Sequence, residues 1–559
     1  MRTLLSVFTL AAAALALPLQ ASATPYFVKV DAPAGNDGTS WEKAFNLADV
    51  ITAISTKVLQ NGDDVYFAGG TYYYPEQQAS GNPLLTGIKL QNIAINLHGG
   101  YPADLTGTAT PELTYPTATP TVLNGDTNRN GVNDDGDLRN LIFVQTTKEA
   151  TDLLQADRSI LIEGFTLTGA YYNGSKGNEL GALNVDMTQT VTVRHCVFTG
   201  NKCVNAGAAA ANSGSRTRFI DCVFSDNEGK DAGIAVNMSK RGDADKYFKP
   251  AVTVERCEIS GNRAVGEGSV AGGSAIRVNA GSLYILNSTI TGNTGYKQGA
   301  IHLNSDTYLY IGSSTIADND MVSPAYGSAV YAKGTPHIRA INSYILGIAD
   351  DDANPALLID GMTTKVSDVF TSDGANVIGT SVFFGEEGSG FQDNFADVII
   401  PDYDFYGDKY TAKSVFGTAG PADKGGFSKV LVPLEVKRIY SKTDFAGVYK
   451  SEYKCPYDVD DTVDQLGTIR PDKVAIGAYD PTGTDGIADI TGEAAQALQA
   501  IALGGGVYQL SATVHTLAVY NLSGACVARG TDTAVVDLSA APAGVYIVRT
   551  DAGTVKIVK

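Results

Sequence analysis

VTVRHCVFTGN (191–201), TRFIDCVFSDN (217–227) and VTVERCEISGN (252–262) are three copies of one pattern, apolar-x-apolar-x-x-small-x-apolar-x-x-Asn. The pattern continues with Ser in the Cys place in LYILNSTITGN (283–293) and LYIGSSTIADN (309–319), and it fades in IRAINSYILG (338–347). An earlier copy, ILIEGFTLTGA (160–170), has Phe165 at that place. The central positions 165, 196, 222, 257, 288, 314 and 343 are 31, 26, 35, 31, 26 and 29 residues apart. A period in this range marks stacked structural repeats. Each copy alternates with period two and no helical stretch separates the copies, so the strands of successive copies must stack in parallel as a solenoid.

The alternation assigns the interior. One inward column is Ile160, Val191, Thr217, Val252, Leu283, Leu309 and Ile338; the next is Ile162, Val193, Phe219, Val254, Ile285, Ile311 and Ala340. Asn201, Asn227, Asn262, Asn293 and Asn319 recur at a turn, where Asn tolerates left-handed backbone and stacked amides can bond from coil to coil. Cys196, Cys222 and Cys257 form a further inward stack at the spacing of neighbouring strands. In-register side chains point the same way, and Ser takes the same slot in later coils, so buried free thiols are expected rather than disulfides.

These apolar-x-x-Asn ends follow elements such as Gly181-Ala182-Leu183, Gly273-Ser274-Ala275-Ile276, Gly299-Ala300-Ile301 and Gly327-Ser328-Ala329-Val330. Together they resemble the repeats of the polymorphic outer-membrane protein family, within the pectin-lyase-like β-helix group. Toward the start, a strand at Tyr26 to Val30, the turn at residues 35–38 and the capping-box pattern Thr39-Ser40-Trp41-Glu42 precede apolar residues at helical spacing up to Val58. A helix capping the solenoid is expected there. Asp464 to Pro471 and Ile476-Gly477-Ala478-Tyr479 resemble the terminal segment of surface β-helix proteins, which puts the solenoid boundary near residue 480.

Residues 1–23 carry Arg2, an apolar run from Leu4 to Leu17 and the small-residue site Ala21-Ser22-Ala23, the layout of a cleaved signal peptide. No later stretch has the apolar length of a transmembrane helix. The formal charge of −19 becomes −20 when Arg2 leaves with that peptide, which argues against nucleic acid or anionic membrane as partners. The expected organisation is an all-β chain: signal peptide at 1–23, right-handed parallel β-helix with an N-terminal cap at 24–480, linker at 481–502 with a helical run from Ile487, and a small Ig-like β-sandwich at 503–559. The last part alternates as strands through Leu517 to Gly524, Val536 to Leu538, Pro542 to Arg549 and Val555 to Lys559. It resembles the C-terminal sorting domain of the type IX secretion pathway, which implies that export machinery as a partner and the outer surface of a bacterial cell as the destination.

Chemistry is less marked. Asp126-Thr127-Asn128-Arg129-Asn130-Gly131, then Asp137, follows the Ca²⁺-loop spacing D-x-[DN]-x-[DN]-G-x5-E with Asp for the final Glu. Oxygen would come from Asp126, Asn128, Asn130, the Val132 carbonyl, Asp134 and Asp137, and Ca²⁺ is the one cofactor the chain suggests. A polar turn-rich insertion explains the same residues without an ion. On the outward strand positions, Arg218, Tyr284, Tyr310 and Arg339 on one sheet and Arg277, His302 and Tyr331 on another suit sugar binding, by rings and by charge. The five histidines show no metal spacing, and Arg241-Gly242-Asp243 is a triplet of a kind that arises by chance. The leading expectation is non-catalytic binding to a polysaccharide or a host surface glycoprotein. A lyase or hydrolase acting on acidic glycans and a passive surface spacer are the alternatives.

Overall fold

The computed structural model describes residues 23–75, 86–147, 159–173, 181–186, 190–207, 209–231, 233–237, 250–265, 273–296, 298–321, 327–348, 355–385, 404–417, 422–424, 426–441, 447–481, 500–521, 526–550 and 553–559. The first 22 residues, Arg241-Gly242-Asp243 and residues 482–499 lie outside these. Two compact units are distinguished, one made of residues through 466 with 472–481, the other of 467–471 with 482–559.

In the first unit the period-two repeats become three long parallel sheets. Sheet 1 has eleven strands, among them Asp64–Ala68, Asn96–Tyr101, Ser159–Glu163, Thr190–Arg194, Arg216–Ile220, Ala251–Glu255, Ser282–Leu286, Tyr308–Gly312 and His337–Ile341. Each coil turns from there into sheet 2 (for example Val197–Thr199, Val223–Ser225, Glu258–Ser260 and Thr289–Thr291), passes a narrow fourth sheet, and returns through sheet 3 (for example Leu183–Asp186, Ile276–Val278, Ile301–Leu303 and Val330–Lys333). This is a parallel β-helix. The register matches the repeat alignment: Val191 pairs with Ile160 and Thr217, Val252 with Leu283, and Leu309 with Ile338. Both inward columns are buried in one continuous core. A fully buried Val, Leu or Ile contributes about 1.5–3 kcal/mol, so the stack of coils supplies its own cohesion.

The small-residue column behaves as its chemistry requires. Cys196, Cys203, Cys222, Cys257 and Cys455 are free and buried, and the Cys222 N–H donates to Cys257 Sγ at 3.4 Å as the Cys257 N–H does to Ser288 Oγ at 3.0 Å. The asparagine ladder is present: Asn227 Nδ2 donates to Asn262 Oδ1, and Asn262 Nδ2 to Asn293 Oδ1, each at 2.9 Å. The left-handed backbone expected at these asparagines sits one residue earlier, at Gly200, Asp226, Gly261, Gly292 and Asp318. A second left-handed site precedes each Cys or Ser, at His195, Asp221, Arg256, Asn287, Ser313 and Asn342. The Gly or Asp makes the bend, which frees the next Asn to turn its amide inward and satisfy buried backbone groups.

The ends depart from the sequence reading. The cap is a shorter helix, Leu47–Ser55, and its N-cap is Asn46, which accepts from the Asp49 N–H, not the Thr39–Glu42 box. Leu47, Val50, Ala53 and Ile54 join the solenoid core. Among the described residues the last parallel pairing of coils joins Val377–Ile378 to Phe405–Tyr406, while the compact unit that holds the coils continues to Pro481. Residues 427–441, 447–466 and 472–480 run along the outside of the coils as a strap. They form one apolar cluster with sheet 1 (Tyr284, Leu286 and Ile341 against Tyr449, Tyr453 and Val474) and another with sheet 2 (Ala317, Tyr344 and Val377 against Leu431 and Ile476). Repeat matching could not show this, because the strap has no period.

In the second unit, Ala500–Gly504, Val507–Asn521, Cys526–Asp537, Val545–Thr550 and Gly553–Val558 pair as one antiparallel sheet over a core of Leu510, Val514, Val519, Val536, Val548 and Ile557. Residues 500–502 are strand, not the end of a helix.

Candidate functional site

The inward positions of sheet 1 are filled by apolar columns, so its chemistry is confined to the outward ones. At the early coils, Tyr66, His98, Glu163 and Arg194 stand in register on consecutive strands. His98 Nδ1 lies 2.6 Å from Glu163 Oε1, and Nε2 lies 3.2 Å from Asp64 Oδ1. Glu163 also pairs with the Arg194 guanidinium. Tyr66 stacks on the His98 ring at 4.7 Å. Burial alone would lower the His98 pKa, but the hydrogen bonds and charges of Asp64 and Glu163 outweigh it and raise the value. Burial likewise opposes ionisation of Glu163, yet His98 and Arg194 hold its carboxyl below the usual range. The row is therefore a ladder of alternating charge.

An excursion between Asn96–Tyr101 and Thr121–Asn124 covers part of this row. Tyr115 donates to the Gly99 carbonyl at 3.2 Å and stacks on His195 at 4.4 Å, and Trp41 Nε1 donates to Ala109 O at 2.7 Å. Farther along sheet 1 the strap takes over. Arg218 pairs with Glu255 and donates to Asp458 O at 2.8 Å, with its guanidinium 5.4 Å from the Tyr457 ring. Tyr284 donates to Lys454 O at 3.2 Å and stacks on Tyr310 at 4.9 Å, which in turn packs on Tyr453 at 5.1 Å. Arg339 is bidentate on Asp373 at 3.1 and 2.6 Å and lies over Tyr453. The structure thus brings Arg218, Tyr284, Tyr310 and Arg339 together, under a segment of the same chain.

Between the two covers lies the part of sheet 1 formed by Thr190–Arg194. Arg194 is 45% exposed there, while Arg256 closes the far side on Asp221 and Glu255 at 2.8 Å each. Along this face His98, Glu163, Arg194, Arg218, Arg256 and Arg339 are each held by an opposite charge, whereas burial lowers the pKa of the His195 ring beside Arg194. Such a face can orient hydroxyl and carboxylate groups and offer ring surfaces.

On sheet 3, Arg277, His302 and Tyr331 are in register as expected. His302 is 2% exposed, neither ring nitrogen has a hydrogen-bond partner, and burial, reinforced by Arg277, Lys333 and Lys230, lowers its pKa to about 3. It is a neutral ring. Tyr331 donates to Asp360 at 3.3 Å.

The Asp126–Asp137 stretch forms a loop closed at its neck by Leu138 N–H to Gly125 O at 3.0 Å. Asp126 accepts from the Asn130 and Gly131 N–H groups at 3.1 and 2.8 Å, and Asn130 Nδ2 donates to Asp134 at 2.6 Å. Val132 is exposed, and Asn128 also points at Asp134. Among the described residues no three Asp, Glu, His or Cys side chains converge tightly enough to hold a metal by themselves. Likewise no helix among them is long and apolar enough to cross a membrane.

A family model described as a right-handed β-helix region matches residues 138–316. That span is a right-handed parallel β-helix. Among solved structures the chain is similar to pectate lyase Pel9A (12% identity, covering 64% of this chain and 80% of that one, TM-score 0.33). It is also similar to XylC in complex with xylose (8% identity, 82% and 99%, TM-score 0.31). No curated protein matches the chain. Sequence reasoning missed the Asp64, His98, Glu163 and Arg194 row of the β-helix, because His98 lies on a coil that lacks the repeat pattern. A His and a Glu each following an apolar residue on strand-like segments was the available signal.

Proposed function

We propose that the chain is an exported, surface-displayed β-helix that binds glycan without transforming it, along the outer face of sheet 1. The observation that supports this reading is the ion-paired state of that face. His98 is bonded at both ring nitrogens, and Arg194, Arg218, Arg256 and Arg339 each meet a carboxylate. A lyase on such a surface would need a base set beside a neutralised sugar carboxylate, and the His195 ring, whose pKa burial lowers, is packed face-on against Tyr115. Rings and guanidinium groups held in fixed orientation suit sugar faces and hydroxyls instead.

Export follows from the signal-peptide layout of residues 1–23, and the C-terminal unit is read as a sorting domain similar to that of type IX secretion, with the repeats similar to those of polymorphic outer-membrane proteins. Surface labelling of the producing cell, with and without the C-terminal unit, tests the destination. Glycan arrays test the binding: wild-type signal on a defined set, reduced by Arg194→Ala, is expected. An array without signal, or the release of unsaturated sugars from acidic polysaccharides, would overturn the reading.

A further inference from the structure

The 126–137 loop is unexplained by glycan binding, and its interior holds an uncompensated acceptor. Asp137 is 4% exposed, its Oδ2 accepts from the Asp134 N–H at 3.0 Å, and its Oδ1 is buried with no hydrogen-bond partner. A buried carboxylate oxygen left in this state is costly, and native proteins rarely tolerate one without an ion, a water or a donor. Asp126, Asp134 and Asp137 share this loop, whose lone cation, Arg129, is turned onto the Tyr73 ring.

We propose that this loop is a Ca²⁺ site. Asp126, Asn128, Asn130, the Val132 carbonyl, Asp134 and Asp137 supply oxygen only, the ligand type a hard divalent ion takes, at the first, third, fifth, seventh, ninth and twelfth places of the loop. Gly131, at φ +73°, makes the bend at the sixth. Carboxylate oxygens have lone pairs beyond those that the Asn130 and Gly131 N–H groups occupy, so those bonds do not compete with the ion. Two Asn amides and a carbonyl complete a set that carboxylates alone do not close. The loop is tied to its surroundings by Arg129 over Tyr73 at 4.5 Å, by Asn133 Nδ2 to Gly200 O at 3.2 Å, and by its closed neck. The ion would therefore pin neighbouring coils together at an insertion where the repeat is interrupted.

The test uses the full secreted chain stripped with chelator. Calorimetric titration with CaCl₂ should show one site with Kd of about 10⁻⁴ to 10⁻³ M, the range of extracellular modules, and much weaker Mg²⁺ binding. Amide exchange should slow across 126–137 when Ca²⁺ is added. Asp137→Asn and, on the exposed side, Asn130→Ala should each weaken Ca²⁺ binding at least about tenfold, with melting in chelator unchanged for Asn130→Ala. No heat and no protection at about 10 mM Ca²⁺ would overturn the proposal, as would binding that both variants leave intact.

Discussion

Glu258 offers the sharpest test of how the strap is held. It stands outward on sheet 2 and is fully buried. Its Oε2 accepts the N–H groups of Ser428 and Lys429 at 2.6 and 3.0 Å, and its Oε1 accepts the hydroxyls of Ser428 and Ser260 at 2.6 and 2.5 Å. Replacement by Met keeps the volume and removes every acceptor, stranding two backbone N–H groups at about 1–3 kcal/mol each. The strap should then open more easily by about 2–6 kcal/mol, which is between about thirtyfold and about twenty-thousandfold in its opening equilibrium. Glu258→Gln should be far milder. Its amide oxygen can still take both N–H groups while its NH₂ donates to the two hydroxyls, so only the charge-assisted part, on the order of 1–2 kcal/mol, is lost. Amide hydrogen exchange at Ser428 and Lys429 reads this directly, with Val193 and Ile285 of sheet 1 as internal controls. A Met variant that exchanges within about threefold of wild type, or a Gln variant as fast as Met, would refute the account.

Asn262→Ala removes the acceptor of the Asn227 N–H and the donor to Phe224 O, buried bonds of 3.1 and 2.9 Å. It should cost about 2–6 kcal/mol in urea unfolding, against under about 1 kcal/mol for the half-buried Asn304→Ala. In the native protein Cys196, Cys203, Cys222, Cys257 and Cys455 should resist alkylation, since all five are buried and burial pushes the Cys196 thiol up to about 12; rapid labelling of any of these five before unfolding, read by peptide mapping, would contradict this. The raised pKa of His98 contributes stability in full below about 6.5, and that contribution is lost as pH rises through the folded value. The lowered pKa of Glu163 contributes stability present above about 4.3 and lost as pH falls through its folded value, so the row should hold best between these limits. NMR titration of His98 should give a value above about 6.5 that drops in Glu163→Gln.

What could be read in the sequence divides by the distance over which contacts are made. Val191 to Val252 and Leu283 to Ile338 could be placed in register because each coil meets its neighbour about one repeat away, so identical chemistry recurs at a countable spacing. The ladder asparagines and the Cys/Ser column were legible for the same reason, although the left-handed residue was assigned one place late. His98 and Glu163 touch at a separation of 65 residues across a coil that holds the 126–137 insertion, so no period joined them. The strap is the extreme case, with Arg218 meeting the Asp458 carbonyl 240 residues away. That distance explains why Arg218, Tyr284, Tyr310 and Arg339 read as a ligand surface. An outward column of Arg and Tyr has the same composition whether it will meet a sugar or a segment of its own chain, because rings, guanidinium groups and backbone carbonyls engage either partner through the same forces. Only the position of Tyr453 and Tyr457 decides between them, and nothing in the local pattern encodes it. On Thr190–Arg194, the strand neighbouring that of Arg218, Arg194 keeps the same chemistry facing outward at 45% exposure, which is why the reading of the chain as a binder rests on the coils from Asn96 to Arg194.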